Sequence, residues 1–260
     1  MKVKEIMTRD VVTVDKDEKL ERVVSLMEKH RISKVPVVER GGLVGVVTDG
    51  DVVDELGAIR NKATTANSLH VSSAMRRNPL TINPDADVED AVDVFRENGL
   101  GLLPVVHDRS LVGVVTKSDL LPLVEATKPL SAIMISQLHA VEPGERVIHA
   151  RRLMLDHEIE HLPVLLGGRL VGILSEMDIA IGLARFKDSV PVNRQHAQLK
   201  AFLVDEIMVR NVTTATPDMP ANEAARLMRA KDVGALPVIA PAGKIAGLVT
   251  RSDLLGLVET

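Results

Sequence analysis

The sequence predicts an α/β (α+β) fold built from four β-α-β-β-α repeats, on three observations. The stretch GVVTDGD at 45–51 returns as GVVTKSD at 113–119, GILSEMD at 172–178 and GLVTRSD at 247–253. A methionine closing an IM or AM pair, at Met7, Met75, Met134 and Met208, is followed 29 residues later by a proline, at Pro36, Pro104, Pro163 and Pro237. The step from proline to the motif glycine is nine residues in three copies and ten in the fourth, where PAGK lengthens the turn; from glycine to aspartate it is six in all. Self-similarity at a fixed period marks a repeat architecture.

The elements of one repeat follow in order. After the methionine, a short run rich in Thr and Val reads as a strand. Leu20, Val23, Val24 and Met27 then recur at i, i+3, i+4 and i+7, the apolar stripe of an amphipathic helix. KVPVV and LVGVVT are β-branched runs separated by ERGG, which reads as two strands and a turn. Pro36 donates no hydrogen bond, so its strand lies at an edge or pairs on one side only near the proline. A second helix opens at the Thr-x-x-Asp and ends near Leu56.

Each unit is small for a stable core, and pairing two of them buries both exposed faces. The connections at 57–71, 125–129 and 184–202 are polar, short, or charged with a proline. The chain therefore divides into two double modules, 1–124 with repeats at about 3–56 and 72–124, and 125–260 with repeats at about 130–183 and 204–258.

Composition narrows the function. Aliphatics supply the core, because aromatics are 1% of 260 residues and Trp and Tyr are absent. Base stacking on large aromatic rings is thus unavailable, and a net charge of -4 lacks the basic excess of a phosphate-backbone binder. Zero Cys removes disulfides, thiolate catalysis and Cys-ligated zinc, and fits a reducing compartment. With no signal-like run and no membrane-length apolar stretch, the expectation is a soluble cytoplasmic protein.

Thr or Ser followed three residues later by an acid is also the capping box of a helix start. The motif glycines then allow close backbone approach or a bulge. A cap and a ligand contact do not exclude each other. A helix start offers free N–H groups and a positive dipole end to a phosphate, and a carboxylate can accept from two vicinal hydroxyls.

With KEIMTRDVVTV, ISKVPVV and GVVTDGD in the first copy and their equivalents in the other three, nearly the whole chain resembles the CBS domain, named for cystathionine β-synthase. The resemblance implies that two repeats form a Bateman module and two modules a disc with up to four clefts for adenosine-containing ligands. Four repeats in one chain look like the γ subunit of AMP-activated protein kinase and similar archaeal proteins. In that family the motif Asp holds the ribose hydroxyls and the Thr or Ser contacts ribose or phosphate. Carried over, the pairs are Thr48 with Asp51, Thr116 with Asp119, Ser175 with Asp178, and Thr250 with Asp253.

Other candidates follow from the same resemblance. Two residues before the proline, where kinase γ subunits often place a phosphate-binding Arg, stand Lys34, Leu102, His161 and Ala235, so Lys34 and His161 are phosphate candidates. After the motif hydroxyl come Asp49, Lys117, Glu176 and Arg251; Lys117 and Arg251, with Ser118 and Ser252, are the candidates in copies two and four. The segment after each methionine lines the adenine pocket in the family, which points to Val12, Thr13, Leu80, Thr81, His139, Ala140, Thr213 and Thr214.

Other chemistries are less favoured. His157 and His161 have the i, i+4 spacing of a helical metal pair, but the repeats place them on either side of a helix end. No metal is expected, and the repeated methionines read as core filler. No G-x-S-x-G or Walker-type loop occurs. The expectation is a non-enzymatic sensor of AMP, ADP, ATP or S-adenosylmethionine that acts on a protein target, alone or as a homodimer of discs. The alternative is a scaffold whose motifs are caps alone, with or without a nucleic-acid partner.

Overall fold

The computed structural model describes residues 1–57 and 65–258. Repeat one comprises α1 (Val3–Ile6), β1 (Val14–Asp15), α2 (Leu20–His30), β2 (Lys34–Glu39), β3 (Gly42–Thr48) and α3 (Asp49–Gly57). Repeat two follows with α4 (Val71–Ala74), β4 (Arg76–Arg77), α5 (Val88–Asn98), β5 (Leu102–His107), β6 (Ser110–Thr116) and α6 (Lys117–Leu120). Repeat three holds α7 (Val147–His157), β7 (His161–Leu166), β8 (Arg169–Ser175) and α8 (Glu176–Ser189), and α9 (Val192–Leu199) leads out of it. Repeat four has α10 (Ala221–Lys231), β9 (Ala235–Ile239), β10 (Ile245–Thr250) and α11 (Arg251–Leu255). The expected polar connection at 57–71 lies, for 58–64, outside the described residues.

The β-α-β-β-α order is present, with the first strand at its shortest. It is the two-residue β1 in repeat one and single parallel bridges at Ile82, Val141 and Ala215 in the others. The apolar stripe of α2 is buried, with Leu20, Val23 and Met27 fully enclosed. In β2, Pro36 faces Val46 of β3, and β1 joins only from Val37 onward, so the missing N–H falls where no strand asks for it. The β2–β3 turn places Arg40 and Gly41 at φ 51° and 82°, the positive values a two-residue hairpin turn requires.

Entry segments are exchanged between neighbouring repeats. β4 of repeat two lies on β3 of repeat one, with Val46 opposite Arg76, and Thr8 of repeat one bridges Val114 of repeat two. Ile173 bridges Val209 and Ile135 bridges Leu248 in the same way. This crossing explains the motif glycine. A Cβ on Gly45 would stand 2.7 Å from the Arg76 carbonyl oxygen, and one on Gly247 would stand 2.7 Å from the Met134 sulfur and 2.9 Å from the Ile135 oxygen. The repeated methionines are the side chains that cover those glycines.

Helices couple the chain differently. One apolar cluster joins repeats one and three and a second joins two and four, with α3 packed on α8 and α6 on α11. Strand pairing thus runs one to two and three to four, while core packing runs across.

The last helix of the repeat varies in length. After α6 a 3-10 turn at Leu121–Leu123 carries Pro122, which cannot continue an α-helix. In repeat three the segment expected as a charged connection, 184–202, is instead largely helical. α8 continues to Ser189, just before Pro191; Gln195 Nε2 donates to the Lys187 and Val190 carbonyls at 2.9 and 3.0 Å, and Phe186 stacks on Phe202. Those bonds satisfy carbonyls that a helix end leaves open. Among the described residues no helix is long and apolar enough to cross a membrane.

Candidate functional site

Each motif closes a capping box. The amide and hydroxyl of Thr48 donate to Asp51 Oδ2 at 2.9 and 2.8 Å, and the same two bonds measure 2.7 and 2.7 Å for Thr116 to Asp119. They measure 2.7 and 2.6 Å for Ser175 to Asp178, and 2.7 and 2.8 Å for Thr250 to Asp253. In every copy the cap therefore engages one carboxylate oxygen, Oδ2. What remains for a ligand is Oδ1. In repeat one Arg76 Nε already donates to Asp51 Oδ1 at 2.8 Å; among the described residues the other three motif acids have no such cation. Burial pushes the Asp178 carboxyl up, against the pull of its bonds to Ser175.

A cavity of about 280 Å³ opens at the first motif. Repeat one lines it with Lys34, Val46, Thr48 and Asp49, repeat two with Arg76, Leu80 and the turn Asn98–Leu102, and repeat three with Leu155, Glu160 and Glu176. Leu80 thus serves the Thr48 motif of the preceding repeat, because the entry segments are exchanged. Of the expected site residues the cavity brings together Lys34, Thr48 and Leu80, with Asp51 held beside it under Arg76.

Its charges are mostly spoken for. Lys34 Nζ lies 3.4 Å from Glu160 Oε1; burial opposes the ammonium charge, but Glu160 and Asp49 outweigh it and hold Lys34 above the ordinary lysine range. Lys34 in turn holds the Glu160 carboxyl down. Asp54 pairs with Arg151 at 2.6 Å. Asp49 and Glu176 have no ion-pair partner among the described residues. Burial pushes Asp49 up to about 6, and burial with the neighbouring Asp49 charge pushes Glu176 up to about 7. These two acids, with Glu160 and Arg76, were not singled out as site residues from the sequence. The position after the motif hydroxyl, alternately acidic and basic along the four copies, is the signal that marks the pair.

The opposite seam is basic. Lys117 Nζ of repeat two donates to Ser252 Oγ of repeat four at 2.7 Å, and burial lowers the Lys117 pKa. Arg251 reaches Asp232 at 3.3 Å, and its buried Nε has no hydrogen-bond partner among the described residues. Ser118 and Ser252 are the next residues along the same two helix starts, α6 and α11. His161, expected as a cation, is not one at neutral pH: burial pushes it down to about 4. It packs on Gly234, as Lys34 packs on Gly101.

The remaining adenine-pocket candidates fall at the corresponding entry segments. Val12, Thr13, Ala140 and Thr213 are half-buried, whereas Thr81, His139 and Thr214 are exposed. His139 stacks on His157 with ring centroids 3.6 Å apart. His157 ends α7 and His161 opens β7, so the two do not share a helix. Among the described residues no three His, Cys, Asp or Glu side chains converge as a metal site would require. A larger groove of about 550 Å³ runs along α8 and reaches Asp178 alone among the expected site residues.

Comparison with known proteins fits this geometry. The CBS domain family model matches residues 3–58, 71–126, 130–185 and 204–260. Protein MJ1225 of Methanocaldococcus jannaschii is 28% identical over 267 residues, covering 95% of each chain. Its crystal structure, described as that of a candidate archaeal homologue of γ-AMPK, superposes with a TM-score of 0.83 at 26% identity over 98% of this chain and 99% of that one. An uncharacterized conserved protein from Pyrococcus horikoshii shares the fold at a TM-score of 0.62 and 24% identity over the whole of both chains. A homoserine O-acetyltransferase of Methanohalobium evestigatum is 36% identical over 131 residues, 50% of this chain and 24% of that enzyme.

Proposed function

Because this chain belongs to the CBS domain family, four of whose domains it carries between residues 3 and 260, we propose that it is a non-enzymatic regulatory protein whose clefts take adenosine-containing ligands. One observation carries the reading: all four motif aspartates spend Oδ2 on the helix cap, and among the described residues Asp119, Asp178 and Asp253 keep Oδ1 for another partner, whereas Asp51 shares its Oδ1 with Arg76. A helix cap needs only the first oxygen. The second accepts from a ribose hydroxyl, and a bond to a charged acceptor is the stronger kind.

Further support comes from the cavity at Thr48, which is of nucleoside size and combines apolar walls with a few polar groups. MJ1225, similar along its whole length, is described as a candidate γ-AMPK homologue, and a sensor of AMP, ADP, ATP or S-adenosylmethionine is the corresponding role here. The backbone exchange between repeats one and two, and between three and four, supports two modules, 1–124 and 125–260. Ligand in the Thr48 cleft would touch residues of both. It could then shift affinity for a protein target through differential binding to two arrangements of the modules.

A thermal-shift and calorimetric panel tests this reading. At about 100 times its dissociation constant an adenosine ligand raises stability by about 2.7 kcal/mol, and a guanosine ligand raises it less. Asp253→Asn, which keeps a polar acceptor at the cap, should weaken binding in its cleft by about 1.5–3 kcal/mol. No heat and no shift with any adenosine compound would leave the caps as caps and favour a scaffold.

A further inference from the structure

The cleft at Thr48 differs from the opposite seam in the sign of its uncommitted charge. Two cations line the cavity, and both are engaged: Lys34 with Glu160 at 3.4 Å and Arg76 with Asp51 at 2.8 Å. The four lining acids are Asp49, Asp54, Glu160 and Glu176; pairing Glu160 with Lys34 and Asp54 with Arg151 leaves Asp49 and Glu176 uncompensated. These two come from the first turns of α3 and α8, which pack together: a Cβ on Gly50 would stand 3.0 Å from Glu176 Oε1. At the equivalent positions of the other two repeats stand Lys117 and Arg251. Lys117 donates to Ser252 and has no carboxylate within ion-pair distance among the described residues.

We propose that the Thr48 cleft selects adenosine ligands whose 5′ substituent is uncharged or positively charged, through Asp49 and Glu176, and excludes nucleotide phosphates, which are directed to the Lys117–Arg251 seam. The proposal rests on the adenosine-binding reading. A phosphate brought beside two carboxylates, one of them the buried Asp49, meets like charge, and like-charge juxtaposition is costly where solvent screening is reduced. A sulfonium or an amine meets opposite charge there. The raised carboxyl values of Asp49 and Glu176 agree: burial is the main cause in both, and neighbouring acids add to it more than Lys34 takes away for Glu176.

The experiment is photoaffinity labelling of the wild-type chain with 8-azido derivatives of adenosine, S-adenosylmethionine and ATP, with labelled peptides mapped by mass spectrometry. The adenosine and S-adenosylmethionine probes should label the peptides holding Leu80 or Asn98–Leu102. The ATP probe should label them at least about tenfold less at equal occupancy of the protein, the scale of a like-charge contact. In Asp49→Asn with Glu176→Gln, near-isosteric changes checked for folding by circular dichroism, ATP labelling of these peptides should rise and S-adenosylmethionine labelling should fall. Equal labelling by all three probes in the wild-type chain would overturn the proposal while leaving adenosine binding intact. No specific labelling by any probe would overturn both.

Discussion

The seam between repeats one and three and the seam between repeats two and four share one frame and differ in what they present. In both, a strand ends at a hydroxyl, a capping box opens a helix, and that helix packs on its counterpart across the molecule. In the first seam the helices have 9 and 14 residues and begin Asp49-Gly-Asp and Glu176-Met-Asp. In the second they have 4 and 5 residues and begin Lys117-Ser-Asp and Arg251-Ser-Asp. The cap residues and the covered glycines preserve the frame. The residue just after the hydroxyl is free to set the chemistry, because it faces the seam and carries no part of the cap.

If the frame is common, breaking it should cost the same in either half. Gly45→Val and Gly247→Val each drive a side chain into a neighbouring entry segment, where even a Cβ would stand 2.7 Å from the Arg76 carbonyl oxygen or the Met134 sulfur. Overpacking of this kind costs about 1–3 kcal/mol, to be read from urea denaturation. Costs that match in the two halves support one frame; a large loss in one half and none in the other would break the comparison.

Ligand charge sharpens it next. Lys117→Ala should weaken ATP several-fold more than adenosine, since an ammonium meets only the phosphates. Equal weakening of the two in calorimetry would remove Lys117 from a phosphate role.

The acidic seam also predicts a pH dependence in the range of its two raised carboxyls. Asp49 and Glu176 titrate near 6 and 7, above their ordinary range, so each binds its proton more tightly in the folded chain than in the unfolded one. The stability that this gives is complete below the unfolded carboxyl range and is lost as pH rises through about 6 to 7. Glu176→Gln should therefore match the wild-type chain near pH 5 and melt higher at pH 8, by roughly 2–4 °C for each kcal/mol recovered. His161, depressed to about 4, acts in the opposite sense, its contribution falling as pH drops from the ordinary histidine range. Taking the difference between variant and wild type removes it.

The smallest effect concerns the helix ends that precede each proline strand. Arg31, Glu158 and Asp232 hold φ near 50°, where repeat two has Gly99. Glu158→Gly should gain about 0.5–1 kcal/mol of stability, because the left-handed conformation strains any side chain.

Much of the frame was legible in the sequence. The apolar stripe of α2, the strand-turn-strand around ERGG and the capping boxes follow from periodicity and local chemistry that act within a few residues. The exchange of entry segments was not legible, because the Met-on-Gly contacts join residues more than a helix apart, and only their matched recurrence hints at it. The helical stretch at 184–202 was masked by its charge and by Pro191; its stability comes from Gln195 and the Phe186–Phe202 stack, which no local pattern announces. At the site, spacing located the motif acids, but not that Asp51 is already bridged to Arg76, nor that burial leaves His161 uncharged. Those depend on neighbours brought from other repeats.

The central claim is that the second oxygen of the motif aspartate holds ribose. Calorimetric titration with adenosine and with 2′,3′-dideoxyadenosine tests it directly, since the two are equally uncharged and differ only in the hydroxyls. Loss of a hydrogen bond to a charged group should weaken the dideoxy compound by about 1.5–3 kcal/mol, tenfold or more in dissociation constant. Equal affinity for the two would contradict the account and leave Asp51, Asp119, Asp178 and Asp253 as helix caps alone.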